Sequence, residues 1–202
     1  GLEYEIDFRP SPLAFVSAWV FKGLYSNSAI LHKAAKSDFS YNRLDLRFTR
    51  FQKLFTGHKM IASLRVASYE GQTRFPSDTT QLPRDQFLFD AGGYGSLRGY
   101  RYREFENGNR LAVFSWDYFF SGWIFKTFNL VLFSDVGNVW TTGPSRSWTS
   151  FNGTRFKTFK ADAGAGIALS DYMRLDWAYP LKNGMLTRRG DSKVYFRLTV
   201  KL

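Results

Sequence analysis

The chain has 202 residues, enough for one domain with a sizeable core. It has no cysteine and only two histidines, His32 and His58, which excludes disulfides and thiolate metal sites and leaves little for a histidine-based metal site or catalytic triad. The net charge of +11 admits a polyanionic partner, but the cations form neither a basic helix nor a cluster of the kind that binds nucleic acid, and no run of about 18 apolar residues offers a transmembrane helix.

A period of two recurs along the chain. In "LEYEIDFR", Leu2, Tyr4, Ile6 and Phe8 share one face, with Glu3, Glu5, Asp7 and Arg9 on the other. The next segment, about 13–25, is apolar enough for a short helix or an extra hairpin, and an ordinary ordered loop is the expectation. "RLDLRFT" sets Leu44, Leu46 and Phe48 against Arg43, Asp45 and Arg47, and "KMIASLRVAS" sets Met60, Leu64 and Val66 against Ser63 and Arg65. "LAVFSWDYFF" alternates Phe114, Trp116, Tyr118 and Phe120 with Ser115 and Asp117. "FNLVLFSDVG" is apolar on both faces until Asp135. "FKADAGAGIAL", "YMRLDWAYPL" and "KVYFRLTVKL" alternate again, with Asp162, Asp176 and Arg197 on their polar faces.

These make eight strands, and the spacing between them alternates. Long segments run from about Pro10 to Asp38, Gly71 to Asn109, Trp140 to Thr158 and Leu181 to Ser192; short turns fall near Gly57, near Gly122 and at Ser170–Asp171. Short turns at one rim and long loops at the other mark an outer-membrane β-barrel better than a soluble sandwich. The expectation is an all-β, antiparallel transmembrane barrel with lipid around its apolar face and water on its charged face. Trp116, Tyr118, Phe120, Trp177, Tyr179 and Phe196 then face lipid, and Arg43, Arg47, Asp135, Asp176 and Arg197 face inward.

Motifs for other chemistry are weak. "AGAGIAL" lacks the third glycine and the helix that dinucleotide binding needs. "NGT" at Asn152 reads as a loop turn, and neither Asp162 nor Asp176 is paired in sequence for acid–base work. Lys33, Lys36, Arg74, Arg84, Arg146, Arg155, Arg188 and Arg189 lie in the long segments, where they either bind lipopolysaccharide phosphates or simply solubilise the loops. Catalytic residues, metal ligands and cofactors are not expected.

The segment "SLRGYRYREF" resembles the (V/I/L)RG(F/Y) signature of the BamA/TamA superfamily of outer-membrane insertases and translocators. "LVLFSDVGNVW" is similar to that family's F-x-D-x-G strand, "MRLDWAYPL" to its R-(L/F)-D-x-A-(Y/F)-P-L strand, and "GLEYEIDF" to the strand after its R-G-x-x-L turn. The resemblance implies one domain, residues 1–202, forming the C-terminal half of a sixteen-stranded barrel. It implies a loop, about 71–109, that folds into the lumen with Leu97, Arg98, Gly99 and Tyr100 at its tip. Asp117, Phe133, Asp135 and Gly137 are the implied partners of that tip, with the two acids receiving Arg98.

A non-enzymatic role follows from the resemblance: assisting insertion or translocation of client proteins at the outer membrane, in bacteria rather than in organelles. The alternatives are a barrel that anchors or forms a pore for another domain, and a small structural or lipopolysaccharide-binding barrel. The chain departs from the family in its strand number, in ending on Leu202, and in having no soluble domain before Gly1. It is expected not to close alone, because an eight-stranded interior is filled by its own side chains. Further strands would come from the same chain, a second copy or another subunit.

Overall fold

Alternating side chains produce strands because successive residues point to opposite faces of a pleated chain. The computed structural model describes residues 2–9, 17–27, 39–73, 88–121, 128–142, 158–169, 173–182, 185–186 and 191–198. Their elements are β1 (Leu2–Asp7), β2 (Ala18–Asn27), β3 (Phe39–Phe55), β4 (His58–Thr73), β5 (Phe89–Ala91), β6 (Phe105–Gly108), β7 (Arg110–Ser121), β8 (Phe128–Trp140), β9 (Lys160–Leu169), β10 (Met173–Lys182), β11 (Met185–Leu186) and β12 (Lys193–Leu198). No α-helix occurs among them. His32, Asn152 and the eight loop cations named above lie outside the described residues, as do the turn at 170–171 and Leu202.

Ten strands form one antiparallel sheet in the order β1-β2-β3-β4-β7-β8-β9-β10, with β11 and β12 both on the far edge of β10. From β1 to β10 each strand of the sheet pairs with the next in the chain, the step from β4 to β7 being interrupted by the β5–β6 hairpin. Among the described residues, β1 and β12 each pair on one side only.

The strand β2 corrects the expectation of a loop over 13–25, and it divides the expected long segment in two. Its alternation is hidden for a physical reason. Ala18 and Val20 are apolar yet turn to the same face as Lys22, while Gly23 leaves a gap on the other. Tyr4 of β1 fills that gap: a Cβ on Gly23 would stand 2.2 Å from the Tyr4 ring. With β2 included, nine strand positions lie side by side instead of eight.

One face of the sheet is covered and the other is open. The open face carries Leu2, Tyr4, Phe114, Leu132, Ile167, Leu175, Trp177 and Phe196, the last two 53% and 63% exposed. Trp116, Tyr118 and Phe120 stack along the same face of β7, with ring centroids 5.8 and 4.7 Å apart. His58 joins this group at the β3–β4 turn through a 3.0 Å bond between its ring and the Tyr118 hydroxyl. So broad an apolar face suits hydrocarbon better than water.

The covered face is concave. Asp117 on β7 aligns through Phe133 and Gly164 with Ala178 on β10, four residues from Arg174. In a flat sheet Asp117 and Arg174 would be roughly 14 Å apart across the strands and roughly 13 Å along them. That is farther than the two side chains together reach, yet Arg174 Nη2 lies 3.1 Å from Asp117 Oδ1. The sheet must therefore curl toward this face.

Candidate functional site

Residues 88–109 lie across the concave face. β5 and β6 pair at the base, and the chain turns back through Gly92 and Gly93, whose φ angles of 113° and 86° suit glycine. The Gly93 N–H donates to the carbonyls of Leu97 and Tyr100 at 3.0 and 3.2 Å, which folds the tip on itself. An apolar patch anchors it: Phe89, Ala91, Leu97 and Tyr100 pack with Ala67 and Tyr69 of β4 and with Leu111 and Val113 of β7. Leu97 and Leu111 are fully buried.

Arg98 points from this tip into the sheet and is 4% exposed. Its Nε donates to Asp135 Oδ2 at 2.7 Å and its Nη2 to Asp135 Oδ1 at 2.8 Å, the two-pronged geometry of a guanidinium on a carboxylate. Its backbone N–H also donates to Asp135, at 3.2 Å. Nη1 donates to Asp117 Oδ1 at 2.8 Å and lies 3.7 Å from Asp176 Oδ2. The Phe133 ring sits below the guanidinium, 3.8 Å from its carbon, in cation–π contact. The inward positions of Phe133 and Val131 explain why β8 is apolar on both faces: these two side chains meet the tip and its surroundings rather than water.

Gly99 follows, where the loop backbone touches the wall. A Cβ there would lie 2.5 Å from Asp162 Cβ, 2.7 Å from Pro180 N and 2.8 Å from Tyr179 C. Its N–H donates to Asp162 Oδ2 at 2.8 Å. The Tyr100 hydroxyl donates to the Ala161 carbonyl at 3.2 Å, and the Tyr195 hydroxyl of β12 donates to the Tyr100 carbonyl at 2.9 Å. Gly137 stands apart from these contacts. It pairs with Val113, and a Cβ on it would meet Val113 and the Ala112 carbonyl, so its role is to let β7 and β8 lie close.

Burial alone would lower the Arg98 pKa, but its bonds to Asp135 and the charge of Asp117 outweigh that, so the guanidinium is held charged even more firmly than usual. Burial also pushes the Tyr100 hydroxyl up, which keeps it a neutral donor. The cluster holds two arginines and four aspartates. Arg174 bonds both Asp117, at 3.1 and 3.2 Å, and Asp176, at 2.7 Å.

The structure brings together Leu97, Arg98, Gly99, Tyr100, Asp117, Phe133 and Asp135. The sequence reading did not connect Arg174, Asp162 or Tyr195 to the tip. Strand alternation placed Asp162 inward, but their convergence depends on the curl. The chemistry available here is electrostatic locking: Asp117, Asp135 and Asp162 each hold the loop by a hydrogen bond from Arg98 or Gly99, and no group of three or more potential metal ligands occurs among the described residues.

No curated protein matches the chain. Residues 18–199 match the Omp85 superfamily domain, a family of outer-membrane proteins broadly engaged in protein insertion and translocation. With a match over most of its length and an all-β antiparallel sheet to go with it, consistent with the BamA/TamA-type motifs, the chain belongs to the Omp85 superfamily.

Proposed function

We propose that this chain is the C-terminal part of an outer-membrane barrel that assists insertion or translocation of proteins, with its open face in lipid and its concave face toward a wet lumen. The observation that carries the reading is the arginine loop. A polar cluster of two arginines and four aspartates holds a loop across one face while the other face is apolar and aromatic, the division a membrane barrel requires.

In this reading Leu97, Arg98, Gly99 and Tyr100 form the lumen tip, Asp117, Phe133 and Asp135 shape its seat, and Gly137 lets the strands behind that seat lie close. The tip spans the inner face from β4 to β12, so a barrel built of these strands alone leaves it little room. Further strands then extend the sheet from β1 and β12, supplied by the same chain, a second copy or another subunit. An unpaired strand edge offers backbone donors and acceptors that can template an incoming strand, which is a physical route to insertion without covalent chemistry. Clients are outer-membrane or secreted proteins, and lipopolysaccharide is a candidate partner for the loop cations.

The test is the folding rate of an unfolded client barrel in vesicles carrying this protein. The rate should exceed that in empty vesicles and fall with Arg98→Ala. Equal rates with and without the protein would remove the insertase role. The same contacts around Arg98 also suit a second reading, a barrel that anchors another domain and is merely braced by the loop. That reading gains if Arg98→Ala lowers stability while client folding is unchanged.

A further inference from the structure

The open face of the sheet carries few charges. Among its described strand residues they are Arg50 on β3 and the Glu70–Arg110 pair, which is bonded at 2.7 Å near the long-loop rim. Arg50 lies toward the opposite rim. On β3 the outward positions run Asn42, Leu44, Leu46, Phe48, Arg50 and Gln52. Asn42 marks the polar border at the long-loop rim, with Asn27 donating to its amide oxygen at 2.5 Å. Eight residues separate Asn42 from Arg50, roughly 26 Å along a strand. At a barrel tilt of about 40° this is roughly 20 Å of depth, close to the height of about 25 Å of an outer-membrane apolar band. Arg50 thus emerges where the hydrocarbon ends on the short-turn side.

The side chain is held in place. Arg50 Nη2 donates to Gln52 Oε1 at 2.5 Å, and its guanidinium carbon lies 5.1 Å from the centre of the Trp19 ring, itself 45% exposed. Gln52 is fixed in turn, donating to Ser17 Oγ at 3.1 Å and to the Lys53 carbonyl at 3.0 Å. One guanidinium N–H donates to Gln52, and among the described strand residues the one acid of this face, Glu70, lies at the opposite rim on Arg110. The connection 10–16 beside Ser17 contains no acidic residue either.

We propose that Arg50, Gln52 and Trp19 form a binding site for the phosphate of an anionic phospholipid in the leaflet at the short-turn rim. The arginine fork takes the phosphate oxygens two at a time, and Trp19 lies against the glycerol and upper acyl region. A net-negative headgroup is favoured because the cation has no protein counter-charge. The site rests on the membrane reading above.

The chain contains six tryptophans, so the Trp19 signal is taken as the difference between the wild type and Trp19→Phe. The full protein is refolded into phosphatidylcholine vesicles that contain phosphatidylglycerol, with bromine on the acyl chains of one lipid or the other. Brominated phosphatidylglycerol should quench Trp19 as if enriched about fivefold over its bulk fraction. Arg50→Gln should return that quenching to the bulk value, and Arg50→Lys should restore part of it. Quenching of the other tryptophans by both lipids, with no enrichment at Trp19 or with enrichment that survives Arg50→Gln, overturns the site and leaves the membrane reading intact. If neither lipid quenches any tryptophan, the membrane reading falls and the site falls with it.

Discussion

Asp135 and Asp162 stand directly opposite each other across the β8–β9 ladder, and both side chains are fully buried. Their surroundings treat them differently. Asp135 receives three bonds from Arg98, whereas Asp162 receives the Gly99 N–H on one oxygen and has no hydrogen-bond partner for the other. Of the four aspartates around the two arginines, Asp162 is the one that receives no bond from either guanidinium. Asp162→Asn should therefore leave stability unchanged or raise it, since the amide keeps an oxygen for Gly99 and gains a donor toward Asp135. Asp135→Asn should cost about 1.5–3 kcal/mol, the range for a hydrogen bond to a charged group. Urea unfolding in detergent measures both, and a larger loss from the Asp162 change would refute this division of roles.

Arg98→Ala should be the more damaging change, at about 3–5 kcal/mol, because it strands buried carboxylates. Much of that loss should vanish when Asp117→Asn and Asp135→Asn are already present. A double-mutant cycle should give a coupling of about 2 kcal/mol or more, and additive effects would mean that the groups do not share the interaction.

Gly99→Ala places a methyl group against backbone atoms of β10 that cannot swing aside. It should loosen the tip and cost about 1–3 kcal/mol, the usual penalty of overpacking. Gly95→Ala is the control, since nothing lies within 4 Å of its added Cβ. Trypsin cleavage after Arg101, an exposed residue of the tip, should accelerate in the first variant and not in the second.

The chain has no cysteine, so single cysteines report facing cleanly. A lipid-soluble thiol reagent should label positions 114, 132, 175 and 196 and spare positions 47 and 65. Labelling at 47 without labelling at 175 would reverse the assignment of faces.

Much of the sheet was legible because charge and apolarity alternate plainly in β1, β3, β4, β7, β9, β10 and β12. The exceptions have local causes. β2 loses its signal where Val20 turns inward and Tyr4 takes the space of a side chain at Gly23. β8 loses its signal where Phe133 lies under a guanidinium instead of facing water. The pairing of Arg98 with Asp117 and Asp135 came from a resemblance in motif. The bond from Arg174 to Asp117 joins residues 57 apart in sequence and three strand positions away, and only the curvature of the sheet brings them within reach.

That curvature has a mechanical consequence. A curled sheet behaves as an elastic shell, and ties across its hollow fix the radius wherever they attach. The tip ties β4, β7, β8, β9, β10 and β12 into one stiff arc. β1 is paired to β2 alone among the described residues, so the flank at that end is held by its ladder and not by struts. A load that opens or narrows the shell is absorbed first in that unstrutted ladder, which makes β1 and β2 more compliant than the braced arc beside them.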